Sequence, residues 1–545
     1  MEAWRFHRWV LLVTPMAFGV WSLWLGQDAS WDLRNYHWYN AYALLHWRYN
    51  QDIAPASIQC YQSPLFDVPW YLLAQIAPAR VVGFVIGVIQ SANFLLIYAI
   101  SLRTLPIIDE LEREITALVL SLFGFLGAVT LNLVGNTSND LVVSAGELWS
   151  VLLVVNVLTK KDADGLRRTF VAGLPVGVAM AGKLTAAPFA VGMVMAFFAT
   201  SLPVRRSLLW ALVFGCGVAS TFLIIHGPWS LWLWHEFRNP IFPFFNDIFQ
   251  SQLTNLPNQY DAFRNQPHGV LQWLFFPIFQ LNNPTAFGNV QIIDYRFAAA
   301  NIIFPAGFAA RWLLPGTKPM SDSARYLFAT GLVFYALWLL VFDYFRYAAA
   351  FYMLIPLLIA LLVTGLPISR MTSVAAVAVL FVALALTSKG EDWGRIAWTE
   401  KFVEAAPEEL KLSSDPSKTL LVLLDCPLAY IITLLPQGVS AVQLDQQIAP
   451  REPADLPWNV RRHAMIDRPW EAIYGVSSGG GKTWWTYFIL FLKSFHLTAD
   501  LSTCRILKTN LAEVESPDYK PILCKLDRLH GEWWPSWPMP SEVTH

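Results

Sequence analysis

Charge is what this chain has least of. Only 14% of its 545 residues are Asp, Glu, Lys or Arg, while 55% are hydrophobic. Soluble globular proteins carry roughly a quarter charged residues, so a soluble multidomain enzyme is excluded. The few charges sum to −1, which leaves no bulk positive field for nucleic acid. Zinc signatures are missing as well: there is no His-Glu-x-x-His and no paired Cys-x-x-Cys. No internal repeat stands out. No small-residue cleavage site follows the first apolar run, Trp9 to Gly26; Gln27, Asp28 and Ala29 come next. That run is read as a retained span rather than a removed signal peptide. A phosphate-binding loop is missing too, although GVSSGGGKT at 475–483 resembles one. The pattern needs a glycine five residues before Gly481, and Val476 stands there. The stretch reads as a flexible loop.

What is present is membrane sequence. Apolar runs long enough to approach a bilayer crossing recur along the first 388 residues. Counted with the first run, they predict about eleven spans. The 25 Trp and 18 Tyr suit long stretches at the water–lipid boundary. Arg5 and Arg8 precede the first span and place the N-terminus in the cytoplasm by the positive-inside rule. Lys160, Lys161, Arg167 and Arg168, then Arg205 and Arg206, fall in loops assigned to the same side, while the short outer loop GNTSND at 135–140 has no Lys or Arg. An odd span count leaves the C-terminus outside. The expected fold is thus mainly α: a polytopic transmembrane bundle over 1–388, followed by a small extracytoplasmic α/β domain over 389–545. In that second domain TLLVLL (419–424) and SAVQL (440–444) read as strands, with PLAYIITLL (427–435) as the helix between them. Five Cys fit an oxidising outer compartment, and Cys504 with Cys524 are candidates for a disulfide.

The chemistry-bearing residues gather where spans end. SWDLRNYHWYN (30–40) leaves the first span with Asp32, Tyr36 and His37. From Leu33 onward the sequence can be helical, with Trp38, Tyr42, Leu45 and Tyr49 on one stripe, as in a helix lying in the interface plane. Asp32 then reads as that helix's N-cap. Yet Asp52 and Asp67 follow in the same loop, and three carboxylates are more than one cap requires. Asp140 starts a span. Lys183 lies amid apolar residues, where a charge is expensive and marks function by default. It reads either as a phosphate contact or as a snorkelling side chain. Arg346 offers a planar fork suited to phosphate, or an interfacial anchor. Arg238, in an aromatic and proline-rich segment, is read first as an anchor, and Arg296 is a further candidate.

In order, Asp32, Tyr36, Ala43, Asp52, Pro55, Ser63-Pro64 and Tyr71 resemble the first outer loop of the GT-C glycosyltransferases. NDLVVSAGELW (139–149) resembles the second outer loop of that family, and GVAMAGKLTAAPFAVG (177–192) its Gly-rich hairpin with a central Lys. The class includes the protein O-mannosyltransferases and the lipid A aminoarabinose transferase. The resemblance implies an inverting transfer of sugar from a polyprenyl-phosphate donor to a glycan, lipid or protein acceptor. It implies Asp32 as the catalytic carboxylate. It also implies Tyr36, His37, Asp52, Asp140, Lys183, Arg238, Arg296 and Arg346 as donor- or substrate-binding candidates. Some relatives use a divalent metal ion, for which Asp32 and Asp140 would be the ligands. Many members carry Asp-Glu where this chain has Asp32-Leu33. The expected location is a bacterial inner membrane, in contact with membrane lipid and with no nucleic-acid partner. The competing classes are a transporter or flippase of lipid-linked sugars and a polysaccharide polymerase or ligase.

Overall fold

The computed structural model describes residues 2–159, 165–253, 267, 269–282, 291–406, 411–412, 415–444, 456–479, 492–512 and 520–529. Lys160, Lys161 and the 480–483 part of the Gly-rich stretch lie outside them. The chain divides into two compact units. The first takes Met1–Leu33, Tyr61–Ser251 and Pro257–Phe402; the second takes Arg34–Cys60, Gln252–Leu256 and Val403–His545.

The first unit is helical. Among the described residues, seven helical segments are long and apolar enough to cross a membrane: His7–Leu25, Ala79–Thr104, Asp140–Thr159, Val204–Phe237, Asp322–Val341, Phe345–Val363 and Arg370–Thr387. Four of the eleven expected spans fall short of that standard. The run at 115–134 splits into Glu110–Phe125 and Ala128–Leu133. Between them Gly127 passes so close to Tyr352 that a Cβ would lie 2.3 Å from its ring. Leu184–Ala199 is apolar but short. Gly165–Gly182 and Arg296–Leu313 each contain an interior proline, Pro175 and Pro305, and carry Arg167 and Arg168, or Arg311, among their apolar residues.

The Ala349–Val363 helix is apolar all round, and every residue from Ala349 to Leu362 is buried. A helix without a polar face must be surrounded on all sides. Here its neighbours include Glu110–Phe125, Asp140–Thr159 and Arg296–Leu313. Because this central helix is fixed, the turn that feeds it, Phe345–Ala348, is fixed too, and Arg346 with it.

The first unit extends past the expected boundary at residue 388. Gln27–Asp28 pairs antiparallel with Arg395–Ile396, and Ile292–Ile293 pairs antiparallel with Lys389–Gly390. These two short ladders hold 389–396 to the unit of the helices.

The second unit is built on a five-stranded sheet. Its strands are β1 (Thr419–Leu423), β2 (Ser440–Gln443), β3 (Ala472–Ser477), β4 (Leu497–Ile506) and β5 (Ile522–Arg528). Their order is β2-β1-β3-β5-β4, with β1 parallel to β2 and β3, and β5 antiparallel to β3 and β4. β1, β2 and β3 are wholly buried, as parallel strands are. The connection between β1 and β2 is a 3₁₀ turn, Ala429–Leu434, rather than the expected α-helix; six residues are too few for a stable α-helix. Cys504 and Cys524 are joined by a disulfide across neighbouring strands.

The interfacial helix expected in the first outer loop is corrected. The chain runs from the π-helical turn Leu33–His37 into a nine-residue helix, Trp38–His46, and Trp47 ends it in the left-handed conformation with φ 49°. Tyr49 therefore leaves the expected stripe. Trp38, Tyr39, Asn40, Ala41, Tyr42 and Ala43 are all buried, so polar Asn40 is no more exposed than its aromatic neighbours. The Trp38 indole donates to Thr433 Oγ1 at 2.8 Å. These aromatics fill protein interior within the second unit instead of facing lipid.

Candidate functional site

The GNTSND loop is where the site begins. Gly135 adopts φ +77°, a conformation that favours glycine. Its N–H donates to Gln90 Oε1 at 2.6 Å, and Gln90 Nε2 donates to the Asn136 carbonyl at 2.9 Å. Asp28, wholly buried, accepts from Asn136 Nδ2 at 3.1 Å, from Thr137 N–H at 2.8 Å and from Thr137 Oγ1 at 2.6 Å. Asn139 donates to Asp67 Oδ1 at 2.6 Å. A buried carboxylate is tolerable only with such donors around it. Together they clamp the loop to the exit of the first span, so Asp140 opens its helix near Asp32.

Two cations meet these two carboxylates. Lys183 follows the Gly165–Gly182 helix and points Nζ at Asp140 Oδ1, 2.5 Å away, and at the Ser138 carbonyl, 3.1 Å away. Arg346 bridges the pair: one terminal nitrogen is 2.5 Å from Asp32 Oδ2, and its Nε is 3.3 Å from Asp140 Oδ2. Tyr344, Tyr347 and Trp393 present their rings to the Arg346 guanidinium at 4.9, 5.7 and 5.1 Å, and Tyr347 also lies 4.8 Å from Lys183 Nζ. The side chains of Asp32, Asp140, Lys183 and Arg346 are 11%, 1%, 11% and 7% exposed. Burial pushes the Lys183 ammonium below its ordinary value, against the pull of Asp140. The result is a balanced, four-member ion cluster drawn from four separate parts of the chain.

Asp32 does not stand ahead of its helix as a cap. It lies within a helical turn that has already begun at Trp31, and its carboxylate is turned to Arg346. Tyr36 and His37 belong to the second unit, where both are buried with ring centroids 4.1 Å apart. Asp52 also belongs there. It forms a two-pronged pair with Arg48, at 2.7 Å from Nε and 2.7 Å from a terminal nitrogen, and accepts from Tyr39 Oη and the Ala441 N–H. Arg48 also donates to the Gln437 and Val439 carbonyls and lies over the Tyr42 ring. Asp52 thus ties 39–52 to the edge of β2. Arg296 is buried against the Gly124 and Leu126 carbonyls and stacks on Tyr352, so it braces the break before Gly127. Arg238 ends the Val204–Phe237 helix in the left-handed region and is exposed. Neither arginine joins the cluster.

A divalent ion at Asp32 and Asp140 does not fit this donor set. Both carboxylates are already neutralised by Arg346 and Lys183, which would repel a further cation. Among the described residues no three His, Cys, Asp or Glu converge.

Sequence reasoning overlooked Asp28, Asp294 and Glu147. Asp294 is buried and accepts from the Ala128 N–H, the Ser388 hydroxyl and Tyr352. Glu147 is buried two turns along from Asp140 on the same helix. A carboxylate at membrane depth is itself a signal, and Glu147 in GELW carried it. No protein-family model matches the chain, and no curated protein or solved structure matches it.

Proposed function

We propose that the protein is an integral-membrane glycosyltransferase of the GT-C kind. It moves a sugar from a polyprenyl-phosphate donor to an acceptor hydroxyl on the outer face of the membrane. The observation that carries this reading is the Asp32–Arg346–Asp140–Lys183 cluster. It combines a carboxylate able to take a proton with two cations able to hold a phosphate, all at the ends of apolar helices.

The chemistry follows from exchange of partners. An arriving phosphate competes with the carboxylates for Arg346 and Lys183, and its oxygens match the guanidinium fork as carboxylate oxygens do. Asp32 is then released to accept the proton of the acceptor hydroxyl. That oxygen forms the new bond at the anomeric carbon while the bond to phosphate breaks. The departing electron pair stays on polyprenyl phosphate, whose added charge meets the two cations. The Lys/Arg distribution and the Cys504–Cys524 disulfide support an outer location for the second unit, with eleven crossings in all and the N-terminus inside.

Purified protein in detergent, given a radiolabelled polyprenyl-phosphate sugar and a mixture of cell-envelope acceptors, should release polyprenyl phosphate and label an acceptor. Movement of intact donor, detected only in sealed vesicles, would instead make the protein a flippase.

A further inference from the structure

A cavity of about 460 Å³ lies in the first unit, between the Arg296–Leu313, Asp322–Val341 and Ala349–Val363 helices. It falls within the size range of ligand sites, roughly 300–1,000 Å³. Its walls are apolar, with Phe304, Phe308, Phe328, Ala329 and Leu358 among them, and the one charged side chain on them is Arg325. Phe308 and Leu332, also on its lining, are exposed on the flank of the helices. The cavity therefore opens sideways, where a membrane helix meets lipid.

Arg325 is half-buried. Among the described residues its guanidinium has no hydrogen bond and no ion pair. The nearest acid along the chain, Asp322, is taken: its carboxylate accepts from the Ser201 N–H at 2.8 Å and the Ser201 hydroxyl at 2.6 Å. Arg311 and Lys318 add positive charge at the same end. Among the described residues Arg311 donates to the Leu362 and Lys318 carbonyls. The Lys318 N–H bonds to the Gly365 carbonyl, which brings its loop to the exit of the central helix. An arginine with five donors and no acceptor, on the wall of an apolar cavity, is matched by an anionic group carrying a hydrocarbon chain.

We infer that this cavity binds an anionic phospholipid, with its phosphate on Arg325 and an acyl chain between the three helices. The site is separate from the ion cluster. The Asp322–Val341 helix rises about 24 Å along its axis from Arg325 to Val341 at 1.5 Å per residue, and Arg346 lies beyond that end. The two sites therefore serve opposite leaflets, and this lipid is not the sugar carrier. The inference holds whether or not the protein transfers sugar.

Native mass spectrometry of the full-length protein from detergent tests it. Phosphatidylglycerol, phosphatidylcholine and polyprenyl phosphate are added separately at equal concentration. Wild type should retain one phosphatidylglycerol, and phosphatidylcholine roughly tenfold less. Arg325→Gln should reduce phosphatidylglycerol retention roughly tenfold, the factor expected for loss of a charged hydrogen bond. Arg325→Lys should keep most of it. Ala329→Phe, which fills the cavity, should lose it with Arg325 in place. Equal phosphatidylglycerol retention by wild type and Arg325→Gln overturns the site. So does Arg325-dependent retention of polyprenyl phosphate at the level of phosphatidylglycerol, which would make the occupant the carrier.

Discussion

Asp32 is held by Arg346, and this changes what a substitution at Asp32 reports. Removing one partner of a buried ion pair typically costs roughly 3–5 kcal/mol, because the remaining charge is stranded. Asp140, 3.3 Å from the Arg346 Nε, softens that loss without removing it. Asp32→Asn should therefore lower the melting temperature in detergent as well as abolish chemistry, and low activity alone would say little. Asp32→Asn combined with Arg346→Gln removes both charges. Thermal unfolding of the two singles and the double should give a coupling of roughly 0.5–3 kcal/mol, with the double more stable than additivity allows. Additive losses would show that the pair does not bear on stability. Each of the four cluster residues was legible in the sequence, because a charge at the edge of an apolar run is expensive and conspicuous. Their pairing was not. Asp32, Asp140, Lys183 and Arg346 come from distant stretches, and no periodicity links them. For the same reason Asp52, equally acidic and in the same loop, was grouped with Asp32 although its partners are Arg48 and β2.

Elements place these residues, and glycines let the elements approach. Gly182 ends the helix that delivers Lys183, and a Cβ there would lie 2.2 Å from the Phe66 ring. Gly182→Ala should destabilise the protein by roughly 1–3 kcal/mol, the range for overpacking a tight contact. Adding Phe66→Ala should recover part of that loss in the same unfolding measurement. If Gly182→Ala is neutral, the ring yields and the contact does not position Lys183. At this scale strands were the most legible. TLLVLL and SAVQL alternate with turn residues and are buried on both faces, as β1 and β2 are in the structure. The helix of the first outer loop was misjudged. Its aromatic spacing suits a lipid surface and a protein interior equally, and only the contacts around Trp38 and Asn40 separate the two.

The whole molecule joins a helical unit with membrane-length segments to a sheet-based unit closed by one disulfide. Cys504→Ser should destabilise the second unit by roughly 2–5 kcal/mol, the usual cost of losing a native bridge from a small domain. Unfolding followed by a fluorophore in that unit, with and without reductant, measures it; a neutral substitution would mean the bridge adds nothing. A reporter active only in the cytoplasm, fused after residue 545, should be silent, and strong activity would invert the proposed orientation. Composition announced the membrane class, since scarce charge and recurring apolar runs leave few alternatives. The span count was less legible. The break at Gly127 divides one expected span, Leu184–Ala199 is short, and arginines dilute the apolar character of the Gly165–Gly182 and Arg296–Leu313 helices.

The central claim is that the Asp32–Arg346–Asp140–Lys183 cluster carries sugar transfer, and the charge-balanced variant tests it most directly. Transfer from a labelled polyprenyl-phosphate sugar is followed in detergent with wild type and with Asp32→Asn/Arg346→Gln, each adjusted to equal folded protein. The account predicts a rate lower by at least the 10²–10⁴-fold attributed to a general base, in a protein that melts near wild type. A folded double variant that transfers sugar at the wild-type rate would contradict it and leave the cluster a structural brace.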